Sequence, residues 1–312
     1  MTTAPSSLAK LPSFGDWRDD LPTVRGRYVF DAPLSDQTWF RVGGPADVLY
    51  KPADPDDLSF FLKNKPTGIP LYIIGAGSNL LVRDGGLRGI VIRLGRGFSS
   101  LNIQQNAIEV GSGALDRTVA LTCAQAGLGG LEFFVGIPGT IGGAVKMNAG
   151  CYGQEVKDVL DWADVMTLDG VVTRRSADDL AMTYRHSSLG VEDIVVRARF
   201  RCHQIDPDEG NQKVRKLLAE REDTQPVRGR TGGSTFKNPT TLKKAWQLID
   251  DAGCRGLQIG DAQVSPKHCN FLLNLATATA QDIETLGDTV RNRVKDSSGV
   301  DLVWEIVRIG ER

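Results

Sequence analysis

Residues 136–150 read GIPGTIGGAVKMNAG, with glycine at 136, 139, 142, 143 and 150 around an apolar Ile137 and Pro138. So many missing side chains imply that something packs directly on the main chain. A second glycine-bearing stretch, IIGAGSNLLVRDGG at residues 73–86, follows an apolar strand. There Gly75 and Gly77 let the backbone bend sharply and turn N–H groups toward an anion. The spacing is not a Rossmann fingerprint: Leu80 stands where the third glycine belongs, and the next strand begins near Gly89, leaving no room for a crossover helix. Read singly, the loop at 73–86 is equally an ordinary hairpin with a glycine turn, and the run at 136–150 a close contact between domains. Read together, they suit a pyrophosphate held between them with a flavin ring behind.

Composition narrows the class. With 37 basic and 38 acidic residues among 312, the chain has no overall basic field of the kind that non-specific nucleic-acid binding uses. Five cysteines, odd in number and never as CxxC, point to reduced thiols rather than disulfides or zinc. No apolar run approaches the ~20 residues of a membrane span, and the N-terminus has no signal-peptide core. A cytoplasmic protein without membrane insertion or nucleic-acid partner is expected.

The pattern along the chain predicts an α+β protein of several units. Residues 1–25 read as a tail. Residues 26–95 form a first unit with a helix over 56–64 and strands over 71–74 and 89–94, joined at the end of the chain by a strand within 302–312. Residues 96–203 form a second, with a helix over 115–126 closed by Gly127 and antiparallel strands over 159–167, 170–174 and 194–201. The polar stretch 203–212 reads as a linker into a third unit, residues 204–301. Its helices are expected over 213–222, 242–252 and 281–294, the last opening at Thr279 with Asp282 in a capping position, and Phe271, Leu273 and Leu275 alternate as a strand.

Four further stretches fall in a familiar order: TWFRVGGPAD at 38–47, YRHSSL at 184–189, GGSTFKNP at 232–239 and AWQLIDDAGCRGLQIGDAQVSPKHCNFLLNL at 245–275, with WEIVRIG at 304–310 closing the chain. With the two glycine loops they resemble the UDP-N-acetylenolpyruvoylglucosamine reductases over nearly the whole sequence. The interval between Ser187 and Gly232 is similar to the shorter of that family's two forms. The resemblance implies a two-part FAD-binding fold of the p-cresol methylhydroxylase and vanillyl-alcohol oxidase type, plus a C-terminal α+β domain for the UDP-sugar. It implies FAD as cofactor, NADPH as co-substrate, and UDP-N-acetylglucosamine enolpyruvate as the small-molecule substrate reduced to UDP-N-acetylmuramate. The alternatives are another FAD-dependent oxidoreductase of the same fold, and a UDP-sugar binding protein without catalysis.

By that resemblance Arg185, Ser234 and Glu305 carry the chemistry. Arg185 would grip the substrate carboxylate with a planar guanidinium, Ser234 would give a proton to the carbon that becomes carbanion-like, and Glu305, with a raised pKa, would assist at the enolate. Cofactor contacts would come from Arg41, from Gly75, Ala76, Gly77, Ser78 and Asn79, and from Gly136, Ile137, Pro138, Gly139, Thr140, Gly143 and Ala144. Tyr184, Lys237 and Asn238 are the substrate-binding candidates. Lys267 and His268 fall in the same signature with no role assigned.

Overall fold

A computed structural model describes residues 17–312, so residues 1–16 of the expected tail lie outside the described residues. The first unit contains β1 (Arg27–Pro33), β2 (Pro45–Lys51), α1 (Pro55–Asn64), β3 (Leu71–Ile74), β4 (Leu80–Val82) and β5 (Leu87–Arg93). Its sheet runs β1-β2-β5-β3, with β2, β5 and β3 parallel and β1 antiparallel. Ile90, Val91 and Ile92 are all buried, because β5 is a central strand covered on both faces. Ile90 and Ile92 pack with Phe61 and Leu58 of α1, while Val91 packs with Leu49 and Leu87. Asp54 starts α1 by accepting the N–H of Asp57 at 3.0 Å, with Pro55 as the first helical residue.

The strands flanking the glycine loop at 73–86 are parallel, so the hairpin alternative falls. They join without a helix because β4 leaves the sheet between them and pairs elsewhere.

The second unit holds β6 (Leu101–Gln104), β7 (Ala107–Gly111), α2 (Asp116–Gln125), β8 (Leu128–Gly129), α3 (Ile141–Met147), β9 (Gly150–Cys151), β10 (Gln154–Glu155), α4 (Val156–Val159), β11 (Leu160–Met166), β12 (Val172–Ser176), β13 (Ile194–Arg201) and β14 (His203–Gln204). Its main sheet is antiparallel throughout, in the order β12-β11-β13-β7-β6. Gly127 takes φ +71° after α2, the left-handed conformation that closes a helix cheaply only at glycine. α3 lies inside the glycine-dense run. Ile141, Ala144 and Val145 bury its apolar side, so packing overrides the poor helix propensity of Gly142 and Gly143.

The stretch expected as a linker is structured: β14 pairs with β8, and α5 (Pro207–Thr224) begins at once, with Asp206 accepting the N–H of Asp208 at 2.7 Å. The Asp-Pro-Asp that reads as a loop is a helix start. Val214 of α5 joins the core of the second unit.

The remainder contains α6 (Ala245–Asp251), β15 (Gln258–Ile259), β16 (Ala262–Val264), β17 (Leu272–Asn274), α7 (Ala280–Ser298) and β18 (Val307–Ile309). Thr279 and Asp282 form a reciprocal capping box at the head of α7, and Gly299 at φ +73° closes it. The core of this unit also takes in Phe40, Val42 and Leu81 from the first. β18 returns to pair in parallel with β4, Val307 opposite Leu80.

Candidate active site

The two glycine loops face each other across a cavity of about 340 Å³, and every expected cofactor residue lines it except Gly136 and Arg41. Ser78 Oγ ties the loops together by donating to the Pro138 carbonyl at 2.5 Å. Gly77 is required by its backbone: φ is +68°, and a Cβ there would sit 2.0 Å from the Gln37 carbonyl oxygen. Gly136 lines the adjoining cavity. Arg41 belongs to a separate hollow with Asp36, Thr38 and Arg230, touching the glycine loop only through the shared Ala76.

The residues suit a nucleotide-bearing cofactor. The bare face of Gly143 is open, its nearest neighbour being Thr140 Oγ1 at 3.9 Å from an added Cβ. Asp116, at the head of α2, is fully buried on the cavity wall, with neither carboxylate oxygen hydrogen-bonded to protein. Burial drives its pKa well above the usual carboxylate value. A neutral carboxyl left without a protein partner fits a ligand rich in hydroxyl and phosphate oxygens.

Arg185, Ser234 and Glu305, far apart in sequence, line one neighbouring cavity of about 140 Å³. Ser78, Asn79, Ile137, Pro138, Met147 and Ala149 wall both cavities, so the two adjoin. Arg185 sits at φ +54° in a tight turn in which Thr183 and His186 exchange backbone hydrogen bonds at 3.0 and 3.1 Å. Ser187 fastens that turn to the end of α3, donating to the Lys146 carbonyl at 2.6 Å. Ser234 is placed by a bridge to Phe271. Glu305 is held through its own backbone: its N–H donates to the Thr235 carbonyl at 2.8 Å, and its carbonyl accepts from Asn79 Nδ2 at 3.2 Å.

The charges are coupled. Arg185 Nε donates to Glu305 Oε1 at 3.0 Å, a terminal nitrogen donates to the Gly150 carbonyl at 2.8 Å, and Glu155 lies 3.6 Å away. Burial pushes the Glu305 carboxyl up, and this outweighs the opposite pull of Arg185 and of Lys237.

None of Tyr184, Lys237 and Asn238 lines the cavity shared by the three. Tyr184 is exposed with its ring 4.8 Å from the Arg185 guanidinium, Lys237 uses its backbone N–H on the Val303 carbonyl, and Asn238 Oδ1 accepts the N–H of Ala245 at the head of α6. The side chain of Lys267 donates to the Glu222 carbonyl, and His268 meets Phe271 edge-on.

Sequence reasoning missed Arg221 and Gln225, at the end of α5, which line the same cavity. It also missed Asn148, fully buried at φ +47°, which donates to Glu155 at 3.0 Å and to the Thr183 carbonyl at 2.8 Å. The asparagine closing a helical stretch was the available signal for it.

Known proteins resemble this chain over nearly its whole length. A UDP-N-acetylenolpyruvoylglucosamine reductase from Acidiphilium cryptum is 57% identical over 299 residues, 96% of each chain. The chain belongs to this reductase family. The family profile for the UDP-N-acetylenolpyruvoylglucosamine reductase C-terminal domain matches residues 225–309, and that for an FAD binding domain matches residues 46–176. The crystal structure of the reductase from Thermus caldophilus superposes with a TM-score of 0.79 at 35% identity, covering 92% of this chain and 99% of that one. 6-Hydroxy-D-nicotine oxidase from Arthrobacter nicotinovorans, at 12% identity, covers 90% of this chain and 89% of its own with a TM-score of 0.58. The fold of this reductase is therefore the FAD-binding type of the p-cresol methylhydroxylase and vanillyl-alcohol oxidase class, with an α+β domain appended. Among the described residues no helix is long and apolar enough to cross a membrane.

Proposed function

We propose that this FAD-dependent reductase uses NADPH to convert UDP-N-acetylglucosamine enolpyruvate to UDP-N-acetylmuramate in the cytoplasm. In this reading residues 26–203 hold the cofactor and residues 204–301 the UDP-sugar. The glycine loops would hold the FAD, Gly143 admitting it where a side chain would stand. When bound, FAD supplies hydride acceptance from NADPH and hydride donation to the terminal carbon of the alkene.

The protein must then steady and quench the negative charge that develops on the adjacent carbon and its carboxylate. Arg185 is suited to clamp that carboxylate, because a planar guanidinium gives two parallel donors and gains strength as charge builds. Its existing contact to Glu305 fixes its orientation beforehand. Glu305 can remain beside an anion only as a neutral acid, and its burial favours that form. Ser234 would pass its hydroxyl proton to the carbon. An alcohol is a weak acid, but a carbanion is a strong base, and solvent can restore the proton.

The observation that carries this reading is the meeting of a guanidinium, a hydroxyl and a carboxyl on a cavity that shares a wall with the glycine-lined one. Ser234→Ala should keep NADPH-driven bleaching of the flavin band while transfer to the enolpyruvyl substrate slows by more than ~100-fold, the scale of a lost general acid. Stopped-flow measurement of each half-reaction separates the two. Equal slowing of both would remove Ser234 from the proton-donor role.

A further inference from the structure

A cavity of about 840 Å³ adjoins the glycine-lined one, with Gly75, Ala76 and Thr140 walling both. Its ionisable lining is of one sign: Arg25, Arg27, Lys51, Arg93 and Arg96, with no carboxylate among the lining residues. Two of these are engaged. Arg25 pairs with Asp54 at 2.5 Å, and Arg93 donates to the side-chain oxygen of Gln37. Arg27, Lys51 and Arg96 have no side-chain hydrogen bond or ion pair among the described residues.

Like charges gathered in one concavity raise the energy of the fold unless an anion neutralises them. The crowding is felt at Lys51, whose pKa falls through burial and then through the charges of Arg93 and Arg27. The nearest remaining carboxylate gives no relief. Asp57 is saturated by the N–H groups of Arg25, Gly26 and Ala53 at 2.8 to 2.9 Å and by the Tyr50 hydroxyl at 2.8 Å. It pins the segments carrying Arg27 and Lys51 to each other, so the cations are held in place rather than free to swing apart. The opposite wall is the head of the ten-residue α2, where the Leu115 side chain cannot cap and Thr118 offers a hydroxyl. A helix start adds partial positive charge to a site already cationic.

We propose that this cavity is a second ligand site, separate from the cofactor's, that takes a nucleoside diphosphate. Its volume is that of a nucleotide-sized pocket, and four of its cations have no carboxylate partner among the described residues. Because Gly75 and Ala76 belong to both walls, its occupation is transmitted to the cofactor cavity.

The test is calorimetric titration of ADP into the FAD-loaded enzyme at low salt, with the substrate site saturated by UDP-N-acetylmuramate. The expected result is saturable binding below about 1 mM, a perturbed flavin absorbance, and at least tenfold weaker binding in the Arg27→Ala/Lys51→Ala double variant, whose FAD content and reductase rate stay at the wild-type level. Should that variant misfold, Arg96→Ala, on an exposed loop, should weaken ADP at least threefold. No saturable binding, equal affinity in the variants, or loss of ADP binding on saturation with UDP-N-acetylmuramate each overturns the proposal. So does displacement of FAD by ADP together with loss of FAD from the double variant, which makes the cavity the cofactor's own.

Discussion

Gly77 and Gly143 sit on facing loops of one cavity, yet glycine is needed at each for a different reason. At Gly77 the backbone is left-handed and an added Cβ would strike a main-chain oxygen. At Gly143 the backbone is helical and an added Cβ would meet only open space toward the cavity. The first glycine serves the fold and the second serves what the fold holds. A glycine count alone cannot separate the two; the direction of the missing Cβ can.

Gly77→Ala tests the first half of that contrast most severely. Left-handed strain and a backbone collision that no rotamer relieves should cost ~3 kcal/mol or more, seen as a large fall in melting temperature with or without FAD. Gly143→Ala should behave in the opposite sense. Removing a glycine from α3 should stabilise the apoprotein by ~0.5 to 1 kcal/mol, while FAD binding weakens about tenfold, or ~1.4 kcal/mol. A variant that lost stability and FAD together would erase the distinction between the loops.

Asp116→Asn is the smallest and sharpens the comparison from the cavity's third wall. The native state holds this proton more firmly than the unfolded chain, whose aspartate titrates near ~3.9. Stability is therefore greatest below that value and falls as pH rises toward the folded-state pKa. The amide cannot ionise, so variant and wild type should melt alike in acid and separate at neutral pH with the variant higher. Apoprotein melting curves across pH check this; identical slopes would mean that Asp116 is not a buried neutral acid.

Much of the architecture was legible because local chemistry and final structure agree. The Thr279/Asp282 cap, the left-handed Gly127 and the alternation of β13 all use interactions within a few residues of one another. α3 was not legible, since its glycines argue against a helix and only the burial of Ile141 and Val145 reverses that. The helix over 213–222 was legible, but the start of α5 was hidden by an Asp-Pro-Asp that serves turns and helix starts equally. Within the site, Arg185 and Glu305 could be named from motifs, whereas Arg221 and Gln225 sit on an ordinary charged helix whose pattern says nothing of what it faces. Three cations of the larger cavity, Arg27, Lys51 and Arg93, come from β1, β2 and the end of β5, and their convergence exists only once that sheet has formed.

β18 leaves the ribosome after every other strand described above, and it docks against a strand made more than two hundred residues earlier. Glu305 stands just ahead of it, so a nascent or truncated chain could fold its front units and yet offer no finished reaction chamber. Assembly of the reductase thus has a built-in order, in which competence for chemistry arrives only once β18 has docked.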